Sequence, residues 1–476
     1  MRGCLGVKSH QLLNRVFVHP VCAPAAARWK APPSRFVHNS SENERPRHSM
    51  LKHLTSKIIA TGPISVAEYM REVLTNPVTG YYVRNNMLGP DGDFITSPEI
   101  SQIFGEVDIR GVKKLTNCLL MASDLLCCVQ LLGVWIVSEW MGAGRPKRLQ
   151  LVELGPGKGS LAGDILRVFG QLRSVLSETS VSLHLVEVSA ALSLVQAQNL
   201  TGNSCQEVDS EDDRVYRRGE TPSGLPVSWY RRLEDVPAEF SIFVAHEFFD
   251  ALPIHKFQRT EKGWREVMVD VVPDQPTKLR FVVVPAATLA SASLVQADER
   301  RHHVEVCAEG GVIVQQLARR IVEDGGAALI ADYGHNGTKS DTFRGFKGHQ
   351  LHDVLSAPGT ADLTADVDFS FLRRMAGEGV ACLGPVTQRT FLKNMGIDTR
   401  MQVLLRNCSD PATRTQLISS YDMLTNPAKM GDRFHFFSLL HPSRLARPKK
   451  QEGLTLEKKR SPAPLPVAGF SELSFS

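Results

Sequence analysis

The stretch Leu151–Leu161, LVELGPGKGSL, decides the fold. Leu149–Leu154 reads as a short apolar strand with an acid, Glu153, close to its end. Gly155, Gly157 and Gly159 then fall at alternate positions, and Leu161–Leu172 continues as a helix. Glycines so placed suit a backbone that turns sharply and lets a ligand lie against it, which Cβ atoms would obstruct. In an open α/β sheet the ligand crevice lies outside the carboxyl ends of the strands. Two glycine loops fail on spacing. A GxxxxGK[ST] phosphate loop needs glycine at Val152 and Ser or Thr at Gly159. A GxGxxG dinucleotide loop starting at Gly155 needs glycine at Ser160.

The pattern that remains, E-x-G-x-G-x-G, matches motif I of the class I S-adenosylmethionine (SAM)-dependent methyltransferases. Glu153, Gly155, Gly157 and Gly159 are therefore candidate cofactor residues. Glu187 ends a second strand, Val181–Val188, one βαβ unit later. A carboxylate there can accept from both ribose hydroxyls; otherwise it is a strand-end acid in water. Phe240–Ala245 and Ala327–Ala331 read as further buried strands, after a polar loop around Glu207–Arg218. Val312–Glu323 and Phe369–Met375 read as helices, Trp264–Val272 with Leu279–Val284 as a hairpin, and Val380–Leu383 and Phe434–Leu440 as late strands. Strands alternating with helices predict an α/β fold whose mostly parallel sheet is covered on both faces. The expected class is a Rossmann-like methyltransferase fold with a late antiparallel strand, an N-terminal helical segment, and inserted helical and hairpin elements.

The 476 residues carry a net charge of +5, and much of that excess lies in the first fifty. The nearly neutral remainder lacks a nucleic-acid footprint. Nine cysteines, an odd number with no CxxC pair, fit neither a zinc site nor a disulfide framework. Met1–Ser41 contains no Asp or Glu but includes Arg2, Lys8, Arg15, Arg28, Lys30 and Arg35. A basic, acid-free, amphipathic leader has the form of a mitochondrial transit peptide. Leu115–Trp140 is apolar, but Asn117, Asp124, Gln130 and Glu139 argue against a membrane span. The expected organisation is a leader at 1–49, a helical segment at 50–148, a methyltransferase domain at 149–441, and a loose Pro- and Lys-rich tail at 442–476.

Four further motifs carry a resemblance: Gly92–Ser101 (GDFITSPEIS), Ala245–Pro253 (AHEFFDALP), Ala331–His335 (ADYGH) and Gly359–Phe369 (GTADLTADVDF). Together they resemble the MidA-like family of SAM-dependent methyltransferases, and within it the mitochondrial protein arginine methyltransferases that assist complex I assembly. The resemblance runs from about Leu51 to Leu440. It implies a mitochondrial matrix enzyme with SAM as cofactor. Its substrate would be an arginine on a complex I peripheral-arm subunit, symmetrically dimethylated. One departure stands out. Family sequences run from Phe104-Gly105-Glu106 directly into Leu131-Leu132-Gly133, whereas here residues 107–130 intervene. That segment reads as extra translated sequence, capable of disabling the chain.

For the chemistry, Glu247 and Asp250 are candidate carboxylates for holding a substrate guanidinium. Asp250 has the alternative of capping a turn. His246 could relay a proton or hold a structural hydrogen bond. Asp362, Asp366 and Asp368 suggest a metal at first sight, but a solvated helix start explains them better, and no metal is expected. Other functions in play are a methyltransferase for another side chain or a small molecule, a non-catalytic assembly chaperone, and an oxidoreductase.

Overall fold

The computed structural model describes residues 45–83, 127–202, 204–208, 214–348, 350–445 and 466–471. The leader to residue 44, the Gly92–Ser101 motif and the inserted segment up to residue 126 lie outside the described residues. In chain order the elements that build the site are α1 (Val66–Thr75), α2 (Cys127–Gly142), β1 (Arg148–Leu154), α3 (Ser160–Gln171), β2 (Ser180–Val186), α4 (Ala190–Thr201), β3 (Cys205–Glu207), β4 (Val215–Glu220), β5 (Pro226–Tyr230), β6 (Ser241–His246), α5 (Ala308–Asp324), β7 (Gly326–His335), α6 (Phe369–Ala376), β8 (Ala381–Thr387) and β9 (Phe434–Leu440).

The nine strands lie in one sheet in the order β8-β9-β7-β6-β1-β2-β5-β4-β3. The central five, β7, β6, β1, β2 and β5, run parallel. Strand β9 runs antiparallel to both β7 and β8, as expected for the late strand. The chain leaves β1 toward β2 on one side and returns through β6 on the other. The carboxyl end of β1 is therefore the place where strand order reverses, where open α/β sheets bind ligands.

Alternation along each strand divides the core. Leu149 and Leu151 of β1 face one cluster with Ile242, Val244, Leu329 and Trp135 of α2. Val152 and Leu154 face the other, with Phe243, Ile330 and Leu317 of α5. Both faces are thus buried, which is why these strands read as near-continuous apolar runs. Helix α2 lies in the first cluster with Trp135 and Ile136 fully buried, and residues 127–130 of the inserted segment form its first turn. Among the described residues no helix is long and apolar enough to cross a membrane. Ser65 caps α1, accepting from Glu68 N.

A smaller antiparallel sheet holds the expected hairpin, at Gly263–Val272 and Gln275–Val283. It also includes His255–Thr260 and His303–Val306. A third cluster joins Met70, Val73 and Leu74 of α1 to Val269 of this sheet and to Leu363.

The structure differs from the sequence reading in two places. Part of the stretch read as a polar loop around Glu207–Arg218 belongs to β3 and β4 at the sheet edge, where Arg217 pairs with Glu207 at 2.6 Å. Edge strands with charged faces carry no apolar alternation to betray them. The tail is also not loose throughout. Val467 and Ala468 are buried, Phe470 packs on Phe391, and Asn394 donates to the Gly469 carbonyl at 3.0 Å.

Candidate active site

Three loops meet at the carboxyl ends of β1, β2 and β6. After β1, Gly155, Gly157 and Gly159 take φ values of +62°, +54° and +80°. All three lie in the left-handed region that residues with a Cβ avoid. At Gly155 a Cβ would also come within 2.6 Å of the Phe248 ring. Conformation and close packing together explain the alternate glycines.

Glu153 is buried. Its Oε2 finds no hydrogen-bond partner among the described residues, although the Ala162 amide donates to its carboxylate. Burial pushes its pKa up to about 8. Glu187 follows β2 directly and is also buried, with its pKa raised chiefly by desolvation. Its Oε1 accepts from Ser189 N at 2.7 Å and its Oε2 from Gln196 Nε2 at 3.0 Å. The same Gln196 amide donates to the Gly157 carbonyl at 2.7 Å, and Gln196 Oε1 accepts from Trp229 Nε1 at 3.0 Å. One fully buried glutamine therefore ties the glycine loop to the strand-end carboxylate.

The third loop follows β6. Glu247 has φ +51°, strained for a residue with a side chain. Asp332, in the middle of β7, holds that loop in place. Its Oδ2 accepts from Phe248 N at 3.2 Å, Phe249 N at 2.9 Å and Asp250 N at 3.3 Å. Its Oδ1 accepts from Tyr333 N at 2.8 Å. Glu247 N donates to the Ala331 carbonyl at 3.0 Å. The ADYGH and AHEFFDALP motifs are thus two sides of one construction.

Asp250 is buried. Desolvation first, then the charges of Asp332, Glu247 and Asp362, push its carboxyl well above the usual range. Its backbone carbonyl accepts from Ala365 N at 3.0 Å. His246 Nδ1 lies 4.0 Å from Glu247 Oε1, beyond hydrogen-bond reach. Burial lowers the imidazole to about 4, so it is neutral near pH 7.

Glu153, Gly155, Gly157, Glu187, His246, Glu247 and Asp250 line one cavity of about 1050 Å³, whereas Gly159, Gln196 and Asp332 do not line it. Glu153, the glycine loop and Glu187 stand at one end; His246, Glu247, Asp250 and Asp362 stand along the rest, with α1 and α5 as further walls. The three aspartates of the GTADLTADVDF motif separate here. Asp366 pairs with Lys339 at 2.7 Å and Arg344 at 2.6 Å. Asp368 caps α6 and pairs with Arg301 at 2.9 Å. Asp362 alone of the three lines the cavity. Sequence reasoning missed Gln196, Asp332 and Tyr82. Asp332 stood inside a quoted motif, but nothing in the sequence marks Gln196 as more than a polar helix residue.

The residues at the glycine-loop end fit SAM. The loop offers bare backbone, Glu187 a carboxylate, and Glu153 a buried oxygen without a partner among the described residues. A switch-point crevice with these groups defines the class I SAM-dependent methyltransferases. Comparison with known proteins agrees. A family described as "Putative S-adenosyl-L-methionine-dependent methyltransferase" matches residues 131–386. The chain is 66% identical over 425 residues to the mitochondrial protein arginine methyltransferase NDUFAF7 of Danio rerio, covering 89% of this chain and 93% of that protein. It is 54% identical over 468 residues to the Homo sapiens protein of the same name, covering 98% and 99%. A solved superfamily member from Burkholderia thailandensis, bound to S-adenosyl-homocysteine, superposes with a TM-score of 0.64 at 22% identity, covering 86% of this chain and 95% of that one. The chain belongs to this family of SAM-dependent methyltransferases.

Proposed function

We propose that this protein transfers methyl groups from SAM to arginine side chains of a mitochondrial protein. The observation that carries the reading is the run of buried carboxylates, Glu247 and Asp250 foremost, in the same cavity as the cofactor loop. The names of its relatives agree with it. The matrix is the proposed compartment, a complex I peripheral-arm subunit the proposed substrate, and symmetric dimethylarginine the proposed product.

SAM supplies an electrophilic methyl on a sulfonium. An arginine guanidinium is protonated at any ordinary pH. Two unit charges about 4 Å apart repel by about 4 kcal/mol at an effective dielectric near 20. A cavity that brings these two cations together therefore needs anions. Glu247 and Asp250 supply them, orienting the planar fork through charge-assisted hydrogen bonds and exposing one nitrogen. As the nitrogen–carbon bond forms and the sulfur–carbon bond breaks, that nitrogen loses a proton. Asp250, ionised while it holds the fork and made more basic by its surroundings, is the proposed acceptor. Neutral His246 is the proposed relay outward. At the other end, Gly155 and Gly157 hold the cofactor against backbone, Gly159 shapes the loop as it enters α3, Glu187 holds the ribose, and Glu153 a further polar group.

The test is methyl transfer from labelled SAM to a complex I peripheral-arm subunit, with the modified residue located by mass spectrometry. Label on arginine, reduced about a hundredfold or more in Glu247→Gln, supports the reading. Label on another residue type, or full activity in Glu247→Gln, overturns it.

A further inference from the structure

We infer that Arg320 of α5 is a positioning residue for the cofactor, acting through the connection 231–237 that its guanidinium holds. The inference rests on the cofactor placement above and extends it. Strand β5 ends at Tyr230, whose carbonyl accepts from Glu187 N at 2.9 Å. The chain that follows therefore leaves the sheet next to the carboxylate assigned to the ribose. Arg231, Arg232, Leu233 and Glu234 line the cavity there. Across the sheet the order is β6, β1, β2, β5. The connection after β5 thus stands beyond Glu187, away from the loop that carries Glu247 and Asp250.

This connection contains a single 3-10 turn, Leu233–Asp235, and backbone carbonyls buried in such a stretch need partners. Arg320 Nη1 donates to the Leu233 carbonyl at 3.2 Å and to the Val236 carbonyl at 3.1 Å, and Nη2 donates to the Pro237 carbonyl. The guanidinium is buried, 5.3 Å from the centre of the Phe243 ring of β6, and Asp324 stands 4.0 Å from its Nε. One planar fork therefore grips three carbonyls of one connection, and its donors are fixed relative to one another. A lysine, with all its donors on one flexible nitrogen, does not reproduce that grip.

Arg320 also continues the stripe of α5 that walls the cavity. Glu309, Val312, Ile313 and Gln316 line it at helical spacing, and Arg320 follows one turn later. Gln316 Nε2 donates to Glu234 Oε1 at 2.6 Å, a second tie between the same helix and the same connection. A connection released from α5 loses its fixed position in the cavity wall beside the ribose.

Calorimetric titration of the full chain with SAM and with S-adenosylhomocysteine tests this. Arg320→Met keeps much of the volume and loses every donor. Its affinity for both ligands should fall about tenfold or more, the scale of lost hydrogen bonds to a charged group. The loss should be equal for the two, because the connection lies away from the methyl group. Arg320→Lys should fall between Arg320→Met and wild type. A purely structural arginine would lower the thermal midpoint and the bound stoichiometry, and leave the dissociation constant of the folded fraction where it was. Gln316→Leu breaks only the second tie and keeps the buried guanidinium, so it stays measurable if Arg320→Met folds poorly. It should weaken SAM about threefold or more. Wild-type cofactor affinity in folded Arg320→Met or in Gln316→Leu, or a loss confined to SAM, overturns the inference alone. Gly157→Val is the control on the placement itself. If it binds SAM normally, the cofactor lies elsewhere, and the inference falls with that placement.

Discussion

Gln196 donates its side-chain amide to Glu187 Oε2 across 3.0 Å, from a position with no solvent exposure. The bond matters because the same amide also reaches the Gly157 carbonyl. Two segments proposed to hold one cofactor are therefore set by a single side chain. Replacing it with leucine keeps the volume and removes every polar contact. The Trp229 indole N–H and the Gly157 carbonyl then lose their partner, at about 1–3 kcal/mol for each buried group left unsatisfied. Gln196→Leu should bind SAM at least tenfold more weakly and unfold at a lower temperature. Calorimetric titration with SAM and a thermal melt check both, and wild-type affinity would show that the tie is dispensable.

A second expectation concerns Gly157. Its φ of +54° lies where an L residue costs about 1–2 kcal/mol and a β-branched one more. Gly157→Val should abolish SAM binding while circular dichroism keeps its native form, because the loop sits outside the sheet. A folded variant with unchanged SAM affinity would show that the loop does not hold the cofactor.

How far the sequence alone leads follows from these residues. The glycine loop was legible because its conformational demand is local: three φ values above zero leave glycine at three positions. The parallel strands were legible because burial on both faces makes them apolar throughout. The strands β3 and β4 near the sheet edge were not, since one such as VYRRGE is rich in charge and looks like a loop. Nor were the contacts of Gln196 and Asp332. Those to Glu187 and Phe248 span nine and 84 residues of chain, and a single sequence does not state which polar residues meet in three dimensions.

Glu153 gives a prediction in pH. Burial raises its carboxyl from the ordinary 4.5 to about 8. Between those values the folded protein holds a proton that the unfolded chain has released. Its contribution to stability is fully present below pH 4.5 and is lost as pH rises through 8. Glu153→Gln removes the titration. The ligand-free variant should therefore gain in thermal midpoint over wild type at pH 8 and gain little at pH 4.5. SAM, with its sulfonium charge, should favour the ionised carboxylates and release protons on binding near pH 7. Neutral S-adenosylhomocysteine should release fewer. Calorimetry in buffers of different ionisation enthalpy counts these protons, and equal release by both ligands would contradict the assignment.

The final prediction concerns Asp332, which no part of a substrate needs to touch. It is wholly buried, and its Oδ2 accepts three successive backbone N–H groups, those of Phe248, Phe249 and Asp250. Burial and the Glu247 charge nevertheless raise its pKa, the bonds from Asp250, Phe249 and Tyr333 N–H only partly opposing them. The bonds offset the left-handed conformation at Glu247 and aim the carboxylates of Glu247 and Asp250 into the cavity. Asparagine can keep its oxygen toward the three N–H groups, but it then turns a donor toward Tyr333 N, which also donates. Alanine removes all four acceptor contacts. The expected order in kcat and in thermal midpoint is wild type above Asp332→Asn, and Asp332→Ala last. A shift of about 1 Å in a catalytic group costs on the order of a hundredfold in rate, so the alanine variant should fall at least that far. SAM affinity should change much less, because the glycine loop and Glu187 are held by Gln196 instead. An alanine variant with wild-type kcat, or an asparagine variant worse than alanine, would mean that the loop keeps its shape without this aspartate.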